Sequence, residues 1–182
     1  MKRAVAFLRA INVGGSHVVK MDRLKKLFEQ AGFSGVETFI ASGNVVFDLS
    51  SAARTAAVER SIESMLLKAL GHEVATFVRT DGELRAVAAH EPFSPASLKA
   101  ARPVNVAFLK QPLDSTAVKA IKALETSLDK LDVHGREIYW LTRAMSQRES
   151  KISNAMFEKV LRQASTMRGI STVRKIAEKY GS

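Results

Sequence analysis

The phrase Val5-Ala6-Phe7-Leu8-Arg9 returns 101 positions later as Val106-Ala107-Phe108-Leu109-Lys110. Arg79, followed by Leu84-Arg85 and Val87-Ala88, returns after 89 positions as Arg168, followed by Val173-Arg174 and Ile176-Ala177. A chain that repeats two phrases in the same order is constrained to build one unit twice, so each half must supply its own strands and helices in matching sequence.

The periodicities agree in kind. In the first copy residues 5–11 read as a strand, and Met21, Leu24, Leu27, Phe28 and Ala31 recur at helical steps. Strands are expected at 36–40 and 45–47, then a long helix carrying Val58, Ile62, Met65, Leu66 and Leu70, then a closing strand at 74–78. Thr80 and Glu83 have the spacing of a capping box for a short extra helix. The second copy gives a strand at 104–109 and a helix through Val118, Ile121, Leu124 and Leu128, capped by Asp114 or Ser115. A strand pair turning at His134-Gly135 follows, then a helix marked by Met156, Phe157, Val160 and Leu161, a brief strand at 166–168 and a last helix with Val173, Ile176 and Tyr180. Three of the four prolines, Pro92, Pro95 and Pro103, fall between the copies. The expected architecture is α+β, with two tandem ferredoxin-like (βαββαβ) subdomains at 1–90 and 104–182 and a proline-containing linker at 91–103.

A ferredoxin-like sheet usually carries helices on one face and meets water on the other. Here Val-Ala-Phe-Leu in both copies, Val45-Val46-Phe47 and Ile138-Tyr139-Trp140-Leu141 are apolar without alternation, the pattern of strands buried on both faces. That weighs against RNA recognition by base stacking on the sheet, which needs exposed aromatics, and makes Phe7 and Phe47 core residues.

Lys and Arg number 28 against 18 Asp and Glu, a formal charge of +10, and the last forty residues hold nine basic and three acidic side chains, a net +6. Such a field attracts phosphate-bearing partners, whether a small molecule or nucleic acid, and also serves as an ordinary solubilising surface. The chain has no Cys, which excludes thiol catalysis and fits a reducing compartment. The apolar run Ala4-Val5-Ala6-Phe7-Leu8 is too short for a secretion signal, and no stretch approaches the roughly 20 apolar residues of a membrane span, so no membrane partner is expected and a cytoplasmic location is.

Candidate chemistry gathers at a few places. Arg9 and Asn12 lead into the paired glycines Gly14-Gly15 before a helix, a turn whose backbone N–H groups can receive an anion, although it matches no nucleotide fingerprint. Ser42-Gly43-Asn44 lies between two expected strands, where a turn is the simplest reading. In an ordinary ferredoxin-like unit this loop need not lie near the first turn, so a shared site is expected to require an unusual sheet pairing. Ser150-Lys151 precedes a helix, and Arg168 with Thr172 stands at the start of the last one, types suited to phosphate or carboxylate recognition. His17, His72, His90 and His134 match no metal-ligand spacing, and no cofactor is called for. Ser127-Leu128-Asp129-Lys130 has Ser-x-x-Lys form at the end of an amphipathic helix, without the other parts of such a site. The leading reading is a binding protein for a phosphate-bearing ligand. One alternative is an enzyme acting on a small anionic substrate, with Ser150 or Ser42 activated by Lys151, and another is an interaction module.

Leu8-Arg9-Ala10-Ile11-Asn12-Val13-Gly14-Gly15, with Met21, Leu24, Gly32-Phe33 and Ser42-Gly43-Asn44-Val45-Val46-Phe47, resembles the bacterial domain-of-unknown-function family DUF1697. The resemblance covers nearly the whole chain and implies two ferredoxin-like subdomains but no activity. Family sequences are similar to Leu-Arg-Gly-Ile-Asn-Val-Gly-Gly at the start, so Ala10 stands where a glycine is expected. They also carry Ser-Lys plus an aliphatic residue, matched by Ser150-Lys151-Ile152, and a Thr-x-Arg-Asn-Trp-Asn-Thr run. This chain keeps Thr166, Arg168 and Thr172 of that run and has Gly169, Ile170 and Ser171 in place of Asn, Trp and Asn.

Overall fold

The computed structural model describes residues 2–11, 19–40, 42–50, 52–99, 101, 103–144 and 149–181. The first copy comprises β1 (Lys2–Leu8), α1 (Met21–Gln30), β2 (Glu37–Thr38), β3 (Asn44–Leu49), α2 (Thr55–Leu70), β4 (Thr76–Thr80) and α3 (Asp81–Ala89). After α4 (Pro95–Lys99), the second comprises β5 (Asn105–Phe108), α5 (Ser115–Lys122), β6 (Asp129–His134), β7 (Glu137–Thr142), α6 (Asn154–Leu161), β8 (Thr166–Gly169) and α7 (Ile170–Tyr180). Each copy builds a four-stranded antiparallel sheet, ordered β2-β3-β1-β4 and β6-β7-β5-β8. The repeated βαββαβ order and the matching strand orders make both halves ferredoxin-like. By internal contacts the chain divides into two compact units, Met1–Ala86 with Ile176–Ser182, and Val87–Lys175.

The repeat phrases occupy equivalent register positions. Val5 faces Arg79 across β1 and β4, and Val106 faces Arg168 across β5 and β8. In the first unit Leu24 and Phe28 of α1 and Ile62 and Leu66 of α2 pack with Ala4, Ala6, Leu8, Val45 and Phe47. The neighbours that point the other way, Val5, Phe7, Val46 and Phe77, are buried as well. Val5 and Val46 line a small cavity with Leu84, Ile176 and Tyr180. In the second unit Ile121 and Phe157 cover Ala107, Leu131 and Ile138 on one face, while Tyr139 donates its hydroxyl to Val87 O at 3.3 Å. Both sheets are thus apolar front and back. Phe7, Phe47 and Phe108 have no exposed surface, which closes them to base stacking.

Local chemistry sets the boundaries. Thr80 and Glu83 form the reciprocal capping box, with Thr80 N donating to Glu83 Oε2 at 2.9 Å and Glu83 N to Thr80 Oγ1 at 3.3 Å. Asp114 caps α5 through Ala117 N at 2.7 Å. The expected continuation of α5 to Leu128 is corrected. The helix ends at Lys122, because Thr126 Oγ1 accepts the N–H groups of Leu128 and Asp129 at 3.1 and 3.0 Å and turns the chain into β6. The Ser127-to-Lys130 segment therefore lies at the start of a strand, without helical spacing between its ends.

Candidate functional site

In the first sheet β1 lies between β3 and β4 and runs antiparallel to both. Phe7 pairs with Asn44, so the exit of β1 adjoins the entry of β3. Leu8 N donates to Gly43 O at 2.8 Å, and Arg9 N donates to Ala75 O at 2.9 Å. Arg9 and Ser42-Gly43-Asn44 thus meet at one end of the sheet. The expectation that this meeting needs an unusual pairing is corrected, because the central place of β1 in the ordinary strand order is sufficient.

The loop is shaped from within. Asn44, fully buried, donates its side-chain amide to Phe39 O at 3.0 Å and Ser42 Oγ at 2.8 Å, while Phe39 N donates to Asn44 O at 2.9 Å. Gly43 has φ +73°, and a Cβ there would come within 2.7 Å of Ile11 Cγ2 and 3.2 Å of Leu8 Cβ. Only glycine permits both the conformation and the close approach of the β1 exit. Ala10 and Ile40, at φ 52° and 49°, are left-handed too, and Ile40 is β-branched. The glycine that the resemblance leads one to expect at position 10 would suit the left-handed backbone found at Ala10. Arg9 and Ser42 are exposed at this end, and the strained backbone around them is of the kind that gathers at ligand sites. Asn12, Gly14 and Gly15 lie outside the described residues.

The second copy repeats the frame with different chemistry. Leu109 N donates to Arg136 O at 2.8 Å, and Phe108 pairs with Glu137. Lys110 takes the place of Arg9, Arg136 that of Gly43 and Glu137 that of Asn44. Glu137 is buried and accepts from Arg136 N at 3.1 Å, so this end carries a carboxylate where the first carries an amide.

Ser150 and Lys151 belong to another arrangement. Ser150 Oγ donates to Asp129 Oδ1 at 2.9 Å and accepts from Ile152 N at 3.2 Å, whereas Lys151 is exposed. Asp129 has no exposed surface and also accepts from Trp140 Nε1 and Thr126 Oγ1, each at 2.9 Å. Burial raises the Asp129 carboxyl, but hydrogen bonds from Trp140, Thr142, Ser150 and Thr126 outweigh it and hold the pKa below the ordinary range. The Ser150 hydroxyl is therefore committed to a buried carboxylate. Asp129 escaped the sequence reading. The signal for it was Thr126 three residues ahead, the spacing of a Ser/Thr turn.

Arg168 stands on β8, the opposite edge of this sheet from β6, with β7 and β5 between. Its Nη1 donates to Thr166 Oγ1 at 2.9 Å and Met167 O at 2.8 Å, and burial lowers its pKa to about 10. Thr172 is half-buried in the first turn of α7, which starts at Ile170, so Ser171 and Thr172 both lie inside the helix. Ser150 and Arg168 accordingly sit at opposite edges of the sheet.

The protein-family model described as "Protein of unknown function (DUF1697)" matches residues 1–139, which include Arg9 and the Ser42–Asn44 loop but not Ser150, Lys151, Arg168 or Thr172. Among solved structures, the conserved bacterial protein SP0830 from Streptococcus pneumoniae is similar, with a TM-score of 0.76 and 21% identity, over 100% of this chain and 99% of that one. At that identity the likeness is one of fold. No curated protein matches the chain.

Proposed function

Starting from a chain that belongs to the DUF1697 family, whose function is unknown, we propose that it binds a phosphate-bearing ligand, a nucleotide or nucleic acid, at the end of the first sheet. The observation that carries this reading is the meeting of Arg9 with the Ser42-Gly43-Asn44 loop through the Leu8–Gly43 hydrogen bond of 2.8 Å. An arginine one residue beyond the Leu8–Gly43 bond, with a serine next to that glycine, is a combination suited to a phosphate, since Arg offers a planar fork of donors and glycine allows close backbone approach. The formal charge of +10 supports it by raising the local concentration of anions. Asn12, Gly14 and Gly15, which follow Arg9 in the sequence, belong to the same proposal.

Thermal shift with nucleoside triphosphates and a short single-stranded oligonucleotide tests this. A ligand at 100 times its Kd raises stability by about 2.7 kcal/mol. The shift should shrink between about 50 and 200 mM salt, most steeply for the oligonucleotide, because each phosphate contact releases counterions. It should also shrink in Arg9→Gln. A shift that ignores both salt and this substitution contradicts the reading.

A further inference from the structure

The segment that separates the two copies does more than connect them. Within the second unit it walls a cavity of about 370 Å³, whose apolar side is formed by Pro92, Phe93, Leu98, Val104 and Ile170. His90 and Arg174 supply polar groups at its margin. None of Arg9, Ser42, Gly43 or Asn44 takes part.

His90 is held firmly. Its Nε2 lies 2.9 Å from Asp132 Oδ2, its ring stacks on His134 with centroids 4.3 Å apart and planes 20° from parallel, and its other neighbour is the Tyr139 ring at 4.7 Å. An imidazole fixed by a carboxylate and two rings gives a flat, pre-organised wall whose rotamer needs no ordering on binding. Arg174 is held differently. Its Nε donates to Ala88 O at 3.1 Å, which fixes the guanidinium, while Nη2 meets Glu91 Oε1 at 3.2 Å. The Glu91 side chain is 70% exposed, so this ion pair is weakly held and its carboxylate can be exchanged for another.

We infer that this cavity binds a small organic anion with an aromatic or branched apolar body, which would lie along Phe93, Leu98 and Ile170 while its acidic group replaces Glu91 on Arg174. The volume is at the lower end of the range for small-molecule sites, and a mostly apolar lining with a few fixed polar groups is their usual composition. The inference is independent of the phosphate reading.

The probe is 8-anilinonaphthalene-1-sulfonate, an aromatic anion whose fluorescence rises in apolar surroundings, compared with the uncharged N-phenyl-1-naphthylamine. Wild-type protein should bind both. Arg174→Gln, at a side chain half exposed to solvent, should weaken the anion at least about fivefold and leave the neutral probe unchanged. Ala101→Phe, which fills the cavity from a residue in its lining, should weaken both about tenfold or more. Absence of probe binding to the wild type, or equal weakening of the two probes in Arg174→Gln, overturns the inference. So does wild-type affinity in a folded Ala101→Phe, with folding checked by circular dichroism. If Ala101→Phe does not fold, the Arg174→Gln comparison decides alone.

Discussion

Trp140 donates its indole N–H to Asp129 Oδ1 at 2.9 Å, beneath the Ser150 hydroxyl that donates to the same oxygen. This places a fully buried carboxylate where β6 begins and β7 ends, with Trp140, Thr142, Ser150 and Thr126 donating to it. Asp129→Asn would keep the shape but present an amide N–H to hydroxyls and an indole that already donate. Loss of the charge-assisted bonds is expected to cost about 2–4 kcal/mol. Trp140 is the only tryptophan, so urea unfolding followed by its fluorescence measures this directly. A change below about 1 kcal/mol would show that the network is not a stabilising one.

The same carboxylate sets a pH dependence. Its pKa in the folded protein is below the ordinary 3.8, so between the folded and unfolded values the unfolded chain binds more protons. The stabilisation is present in full above the unfolded value, about 4, and is lost as pH falls through the folded one. In urea midpoints measured from pH 6 down to pH 2, wild type should lose more stability than Asp129→Asn below about pH 4. Parallel curves would refute the assignment.

Ala10 is left-handed at φ 52°, and Gly43 at φ +73° stands against Ile11 and Leu8. Opposite substitutions are therefore expected to have opposite signs. Ala10→Gly should relieve a left-handed residue and raise stability by up to about 1 kcal/mol. Gly43→Ala should lower stability by about 2 kcal/mol or more, from both backbone strain and overpacking. Thermal denaturation of the two variants checks both signs.

Much of this fold was legible because its signals are local. The repeated Val-Ala-Phe-Leu phrase marked β1 and β5, the Thr80–Glu83 spacing marked the start of α3, and Asp114 marked that of α5. What stayed hidden was a local hydroxyl that overrides helical periodicity, and partners distant in sequence. Leu124 and Leu128 keep helical spacing, yet the Thr126 hydroxyl captures two N–H groups and ends the helix. The role of Ser150 is set by Asp129, 21 residues earlier. The meeting of Arg9 with Gly43 follows from strand order, which periodicity does not encode. His90 and His134 are separated by 44 positions, and their stacking is a tertiary contact that no local pattern announces.

Whether Arg9 and the Ser42–Asn44 loop form one ligand site is tested most directly by an NMR titration of ¹⁵N-labelled protein with a nucleoside triphosphate at low salt. Amide shifts should concentrate at Arg9, Ser42, Gly43, Asn44 and Ala75, saturate together with one Kd, and weaken at least about fivefold in Arg9→Gln. Shifts that leave these amides still while others move would contradict the site, and a titration without saturable shifts would contradict the binding function itself.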